Sequence, residues 1–125
     1  MKTKITFLAL GIVIGVALLY LSQTAFKDSA FTPLPEPYYT ILFENEHVRI
    51  VDHVLKPGEK EPIHHHPPMY VYFLEDAKLR VNILNDTVME RSFIKGQKLK
   101  TKDVVHLIEN IGDTEFHSLL IELNK

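Results

Sequence analysis

Three consecutive imidazoles stand in the stretch PGEKEPIHHHPPMYVYF, residues 57–73. In extended chain successive side chains alternate, so His64 and His66 point to one side and His65 to the other. The Cα atoms of such an i, i+2 pair lie about 6.5–7 Å apart. Neutral imidazoles bind divalent ions at about 2.0–2.1 Å, so two rings at that spacing can converge on one ion. A third ligand must come from a distant segment. His106 is the candidate, because it sits inside the apolar run VVHLIEN, residues 104–110, where a bare imidazole has little other reason to be. On spacing alone, a histidine-rich polar turn is the competing reading of residues 64–66. The other histidines read as ordinary: His47 solvated beside Glu44 and Glu46, His65 on the surface, and His53 and His117 as surface or hydrogen-bonded structural residues.

The elements that must position these rings are strands. Between residue 38 and the end there is no sustained helical periodicity. Short runs rich in Val, Ile, Leu, Phe and Tyr recur instead, at residues 38–43, 48–55, 69–74, 78–84, 88–94, 104–110 and 116–123. The segments between them carry Gly, Pro, Asn or Asp, and Gly58 and Gly96 read as turn residues. This regular, short spacing predicts an antiparallel sandwich or barrel. In KLRVNIL, residues 78–84, Leu79, Val81 and Ile83 share one face and Arg80 faces solvent. FHSLLIEL, residues 116–123, is mostly apolar on both faces, and a homodimer contact is one source of cover for the second face.

The chain of 125 residues also carries an apolar run, Ile5–Leu21, behind Lys2 and Lys4. A signal peptide has an apolar stretch of about 7–15 residues and a small-x-small cleavage site, whereas a spanning helix needs about 17–25 residues. The length favours a retained transmembrane anchor over a signal peptide. Lysines ahead of the run keep that end cytoplasmic, so either reading sends the rest of the chain outward, as a single-pass membrane protein or an exported one. TPLPEP, residues 32–37, favours extended chain. The sequence thus divides into an anchor or signal segment at 1–21, a Pro-rich linker at 22–37 and a folded domain at 38–125.

Composition removes several function classes. There is no cysteine, hence no disulfide, no thiolate metal site and no cysteine nucleophile. The net charge of −2 offers no basic excess for nucleic acid. No phosphate loop, dinucleotide fingerprint or Ser-His-Asp arrangement is present. No separate general base is evident: Asp52, Glu61 and Glu90 can lie near the site, with solvated surface carboxylates as the competing reading, and Arg49 can meet an anionic ligand only if it faces inward.

From Glu44 onward the sequence resembles a small single-domain cupin of the RmlC-like jelly-roll superfamily, in an uncharacterised bacterial subgroup. The first cupin motif begins G-x5-H-x-H, and Gly58 followed by Glu59-Lys60-Glu61-Pro62-Ile63 and His64-His65-His66 reproduces it. The second motif ends H-x3-N, matched by His106-Leu107-Ile108-Glu109-Asn110. The resemblance implies an all-β double-stranded β-helix, a jelly-roll barrel, with a divalent ion inside it on His64, His66 and His106. Zn, Fe, Ni, Mn and Cu all suit imidazole or cupin ligation. Two departures stand out. The glutamate that follows the first histidine pair in cupins is missing. Tyr70 follows His66 after three intervening residues, at the motif's glutamate position, and with Tyr72 it is expected on the pocket wall. The second motif also lacks its proline and inner glycine, with TKDVVH in their place. Two functions remain: a tethered or exported cupin that binds a small molecule beside a three-histidine ion, or a metal-dependent cupin enzyme, an oxygenase or isomerase.

Overall fold

A computed structural model describes residues 29–124. The expected N-terminal anchor at 1–21 lies outside the described residues, and among those described no helix is long and apolar enough to cross a membrane. Nine strands are present among the described residues: β1 (Tyr39–Glu44), β2 (Val48–Leu55), β3 (His64–His66), β4 (Met69–Phe73), β5 (Ala77–Ile83), β6 (Val88–Phe93), β7 (Lys98–Thr101), β8 (Val104–Asn110) and β9 (Phe116–Leu123). They form a five-stranded sheet, β1-β2-β9-β4-β7, and a four-stranded sheet, β3-β8-β5-β6. The seven expected strands all form. β3 and β7 are additional. β7 escapes the sequence because KLKT offers a single large apolar residue, and its lysines suit the edge position it occupies.

Alternation drives the packing. Along β2 the buried residues are Arg49, Val51, His53 and Leu55; along β9 they are Phe116, Ser118, Leu120 and Glu122. The antiparallel register pairs them as Arg49↔Glu122, Val51↔Leu120, His53↔Ser118 and Leu55↔Phe116. One inner face therefore carries polar and apolar rungs in turn. The apolar rungs join Met69, Val71, Phe73, Leu79 and Phe93 in a single core, where Phe73 and Phe93 stack at 4.2 Å.

The expected pocket-wall role of Tyr70 and Tyr72 is corrected by this packing. In β4 the inward residues are Met69, Val71 and Phe73, whereas Tyr70 and Tyr72 are 43% and 38% exposed on the outer face. The parity of His64 and His66 does not carry forward, because Pro67 and Pro68 end β3 and the chain crosses to the other sheet before β4 begins. Packing also begins earlier in the chain than residue 38. Phe31 is buried, with the Arg49 guanidinium 4.9 Å above its ring, and Arg49 Nη1 donates to the Thr32 carbonyl at 2.9 Å.

The glycine that opens the first histidine motif sets its path. In the turn Lys56–Glu59, Glu59 N–H donates to the Lys56 carbonyl at 3.0 Å, and Gly58 adopts φ 82°. Pro57 then Gly58 at the central positions fits a type II turn, whose third residue needs positive φ. The following residues run antiparallel to the end of β8: Gly58 N–H to Asn110 O at 2.9 Å, Asn110 N–H to Glu59 O at 2.9 Å, and Glu61 N–H to Ile108 O at 3.1 Å. That register places β3 against β8 with His64 opposite His106. Asn110 holds the far end, its side-chain amide donating to the carbonyls of Leu55 and Thr114, both at 2.9 Å.

Candidate metal centre

His64, His66 and His106 gather at one point inside the barrel, their donor nitrogens all within 4.8 Å of one another. They are 8%, 0% and 6% exposed, and their ring centroids stand 4.7 to 5.2 Å apart. Strand alternation brings in the first two, and cross-strand pairing with β8 supplies the third. His65 points outward, where Nε2 meets Asp103 at 3.0 Å.

The outer nitrogens define the tautomers. His64 Nδ1 donates to the Pro62 carbonyl at 2.8 Å, and His66 Nδ1 donates to Glu122 Oε1 at 2.6 Å. A carbonyl and a carboxylate only accept, so both Nδ1 atoms carry the proton. In the neutral rings both Nε2 atoms then carry lone pairs, and these face each other at 2.9 Å. The single Tyr39 hydroxyl hydrogen, with Oη 2.9 Å from His64 Nε2 and 3.5 Å from His66 Nε2, can serve only one of them, so the two acceptors still repel unless a cation sits between them. His106 Nε2 adds to the imbalance, being buried with no hydrogen-bond partner. A divalent cation satisfies all three nitrogens at once, and fixing each ligating ring through its other nitrogen is the usual support for a metal-bound histidine. The residues present therefore fit an ion.

Burial disfavours the charged form of three of these imidazoles. It is the main cause holding His53, His64 and His106 below the ordinary imidazole range, and His106, beside His66 and His64, is lowered to about 3.

Glu122 and Tyr39 went unread in the sequence, and Glu61 and Arg49 take places in the site that the sequence left open. Glu61 is 1% exposed, not solvated: His53 Nε2 donates to its Oε2 at 2.9 Å, Ile108 N–H donates to its Oε1 at 3.0 Å, and Oε1 lies 3.7 Å from His64 Nε2. Glu122 is fully buried between His66 and Arg49, whose Nε donates to Glu122 Oε2. Arg49 thus faces inward but is already neutralised. Tyr39, 8% exposed, stacks on His53 at 4.0 Å and donates its hydroxyl to His64 Nε2 at 2.9 Å. For both carboxylates burial alone would raise the pKa; the His53 and His64 neighbours of Glu61, and the His66 and Arg49 partners of Glu122, outweigh it and hold each below its usual value. The other two carboxylates are more exposed: Glu90 pairs with the outward-facing Arg80 and Asp52 with His117.

These shifts act in one direction on stability. The unfolded chain takes up histidine protons near pH 6.5, whereas in the folded chain His53, His64 and His106 resist them, His106 down to about pH 3. Glu61 and Glu122 add a further loss as pH falls through and below about 4.3, where the unfolded carboxylates protonate first. In chelator, the urea midpoint is expected to be level above about pH 7 and to fall steadily from about pH 6.5 downward. A midpoint unchanged between pH 7 and pH 5 contradicts the lowered values of His53, His64 and His106.

A cavity of about 500 Å³ adjoins the cluster, reaching His66, His106 and Tyr39 at one end. Val71, Phe73, Leu79, Val81 and Leu120 are among its walls, while Arg91, Lys100 and Asp103 bring charge to its lining.

No family model matches the sequence, and no curated protein matches it. Solved structures do. A cupin domain from Bordetella pertussis superposes with a TM-score of 0.63 at 22% identity, over 80% of this chain and 99% of that one. An RmlC-like cupin family protein with a double-stranded β-helix fold, from Methanocaldococcus jannaschii, gives 0.57 at 17% identity, over 77% and 90%. A conserved protein with a double-stranded β-helix domain, from Klebsiella pneumoniae, gives 0.58 at 18% identity, over 74% and 80%. The two sheets described above are thus those of a cupin-type jelly-roll barrel, and the domain has the cupin fold.

Proposed function

We propose that this domain binds one divalent cation on His64, His66 and His106 and holds a small, largely apolar molecule in the adjoining cavity. The observation that carries the reading is the pair of lone-pair nitrogens, His64 Nε2 and His66 Nε2, held face to face at 2.9 Å by proton donation on their far sides. The cavity of about 500 Å³ falls within the roughly 300–1,000 Å³ of small-molecule sites, and its walls match an apolar body. When bound, the ion supplies a Lewis-acidic centre that polarises a carbonyl, carboxylate or water. Zn, Fe, Ni, Mn and Cu remain the candidates.

One observation favours an enzyme as the second reading, an oxygenase or isomerase on an unknown small substrate. The buried His53–Glu61 pair, with Glu61 3.7 Å from His64, is a ready proton acceptor and donor beside the cavity.

The apolar run Ile5–Leu21 supports a membrane tether with the domain outside the cytoplasm. Exposed Ile41, Leu42 and Phe43 on the edge strand β1, with Tyr70 and Tyr72 on the same sheet, support a homodimer contact.

The full chain, fractionated and then loaded with each metal in turn, tests the reading. One ion per chain is expected, with stabilisation of about 4 kcal/mol at a thousandfold excess over Kd. Folding unchanged by every metal, with no stoichiometric ion, overturns it. In the same preparation the tether places the chain in the membrane fraction until detergent is added; a soluble chain beginning after Ala25 overturns that part.

A further inference from the structure

We propose that Tyr39 is a fourth protein ligand of the ion, its phenolate oxygen supplying the anionic donor that the missing cupin glutamate does not. This rests on the three-histidine reading and adds to it a donor from a different strand. No carboxylate among the described residues joins the three histidines within 4.8 Å. The Tyr39 hydroxyl does approach: Oη lies 2.9 Å from His64 Nε2 and 3.5 Å from His66 Nε2, while those two nitrogens are 2.9 Å apart. Four donors at about 2.0–2.1 Å on a tetrahedral ion stand about 3.3 Å from one another, so the triangle of Oη and two nitrogens already has nearly the right edges.

The ring is held for this position. Tyr39 opens β1 directly opposite His53 in the β1–β2 ladder, and the two rings lie nearly parallel, 12° apart. Its edges meet His64 at 5.3 Å and His66 at 5.6 Å. It is the only inward residue of β1; the remainder of that strand is exposed. On ion entry the O–H bond breaks, oxygen keeps the electron pair and donates it to the metal, and the proton leaves to solvent.

The consequence is chemical. Three neutral imidazoles leave a divalent centre at +2, and one phenolate lowers it to +1. A four-coordinate zinc would then be closed by protein alone, as structural zinc sites are. An ion that takes five or six donors keeps a position free for a molecule in the cavity. Tyr39 thus makes small-molecule coordination depend on the metal.

Copper(II) is the probe, since it binds imidazole strongly and its phenolate complexes absorb in the visible. The full chain in detergent, loaded with one equivalent, is expected to show a phenolate-to-copper charge-transfer band with resonance-enhanced tyrosinate vibrations. Tyr39→Phe is expected to bind copper one to one, with an affinity lower by about a hundredfold or more, and to lose the band. Tyr38→Phe and Tyr70→Phe are expected to keep it. Stoichiometric copper with an imidazole-only spectrum in the wild type overturns the Tyr39 proposal and leaves the three-histidine site standing. Absence of stoichiometric copper overturns both. If Tyr39→Phe does not fold, the wild-type resonance spectrum decides alone, by the presence or absence of tyrosinate modes.

Discussion

Replacing His106 by leucine is expected to weaken metal binding about a hundredfold or more and, in metal-free protein, to raise stability by about 1–3 kcal/mol. The two effects have one cause. His106 is 6% exposed, its Nε2 has no hydrogen-bond partner, and it shares the inner face of β8 with Val104 and Ile108 on the cavity wall. A buried polar atom without a partner costs its desolvation, and an apolar side chain of similar size removes that cost. A residue kept only for packing would not be an imidazole here. Structural zinc sites bind with about 10–16 kcal/mol from four ligands, so losing one of three or four ligands is worth several kcal/mol, a factor of a hundred or more in Kd. Isothermal titration and urea unfolding in chelator separate the two readouts. A leucine variant that is less stable than wild type by more than about 1 kcal/mol without metal sinks the idea that His106 is held against its folding preference.

The same balance explains what the sequence made legible. The three ligands could be read because each rests on a rule of local geometry. His64 and His66 follow from strand parity, and His106 stands out as the lone imidazole in an apolar strand. The surrounding residues depend on facts of register. Glu122 looks like a stray acid in FHSLLIEL, where both faces are apolar; only the pairing Arg49↔Glu122 shows that its face is the inner one. Glu61 sits in GEKEP, a charged turn by composition, and becomes buried because Gly58 turns that segment along β8. Tyr38 and Tyr39 are adjacent at a strand start, where parity has no reference. Tyr70 and Tyr72 share the parity of His66 in the sequence, but the two prolines between them transfer the chain to the other sheet. In each case the local rule held and the step between elements decided the outcome.

Glu122→Ala is expected to be the most destabilising single change in the domain, costing about 3–5 kcal/mol, because it removes one partner of a buried ion pair. Arg49 and Glu122 are 2% and 0% exposed, and Arg49 Nη2 already lacks a partner. Without the carboxylate, a guanidinium remains in the core with only the Thr32 carbonyl as an acceptor within 3 Å. Against a typical total of about 5–15 kcal/mol for a domain, that loss is a large fraction, and urea unfolding at pH 7 measures it. The double replacement Arg49→Met with Glu122→Leu removes both charges and is expected to recover most of the stability, since apolar replacement of a buried pair is often neutral or better. Metal affinity is expected not to recover. His66 Nδ1 loses the acceptor that fixes its tautomer, and such outer partners are typically worth about 10–100-fold in metal affinity. The double variant therefore separates two roles that the single one confounds: Glu122 as counter-ion to Arg49, and Glu122 as the group that turns the His66 lone pair toward the ion. Full recovery of both stability and metal affinity would remove Glu122 from the site and leave it as one half of a structural ion pair.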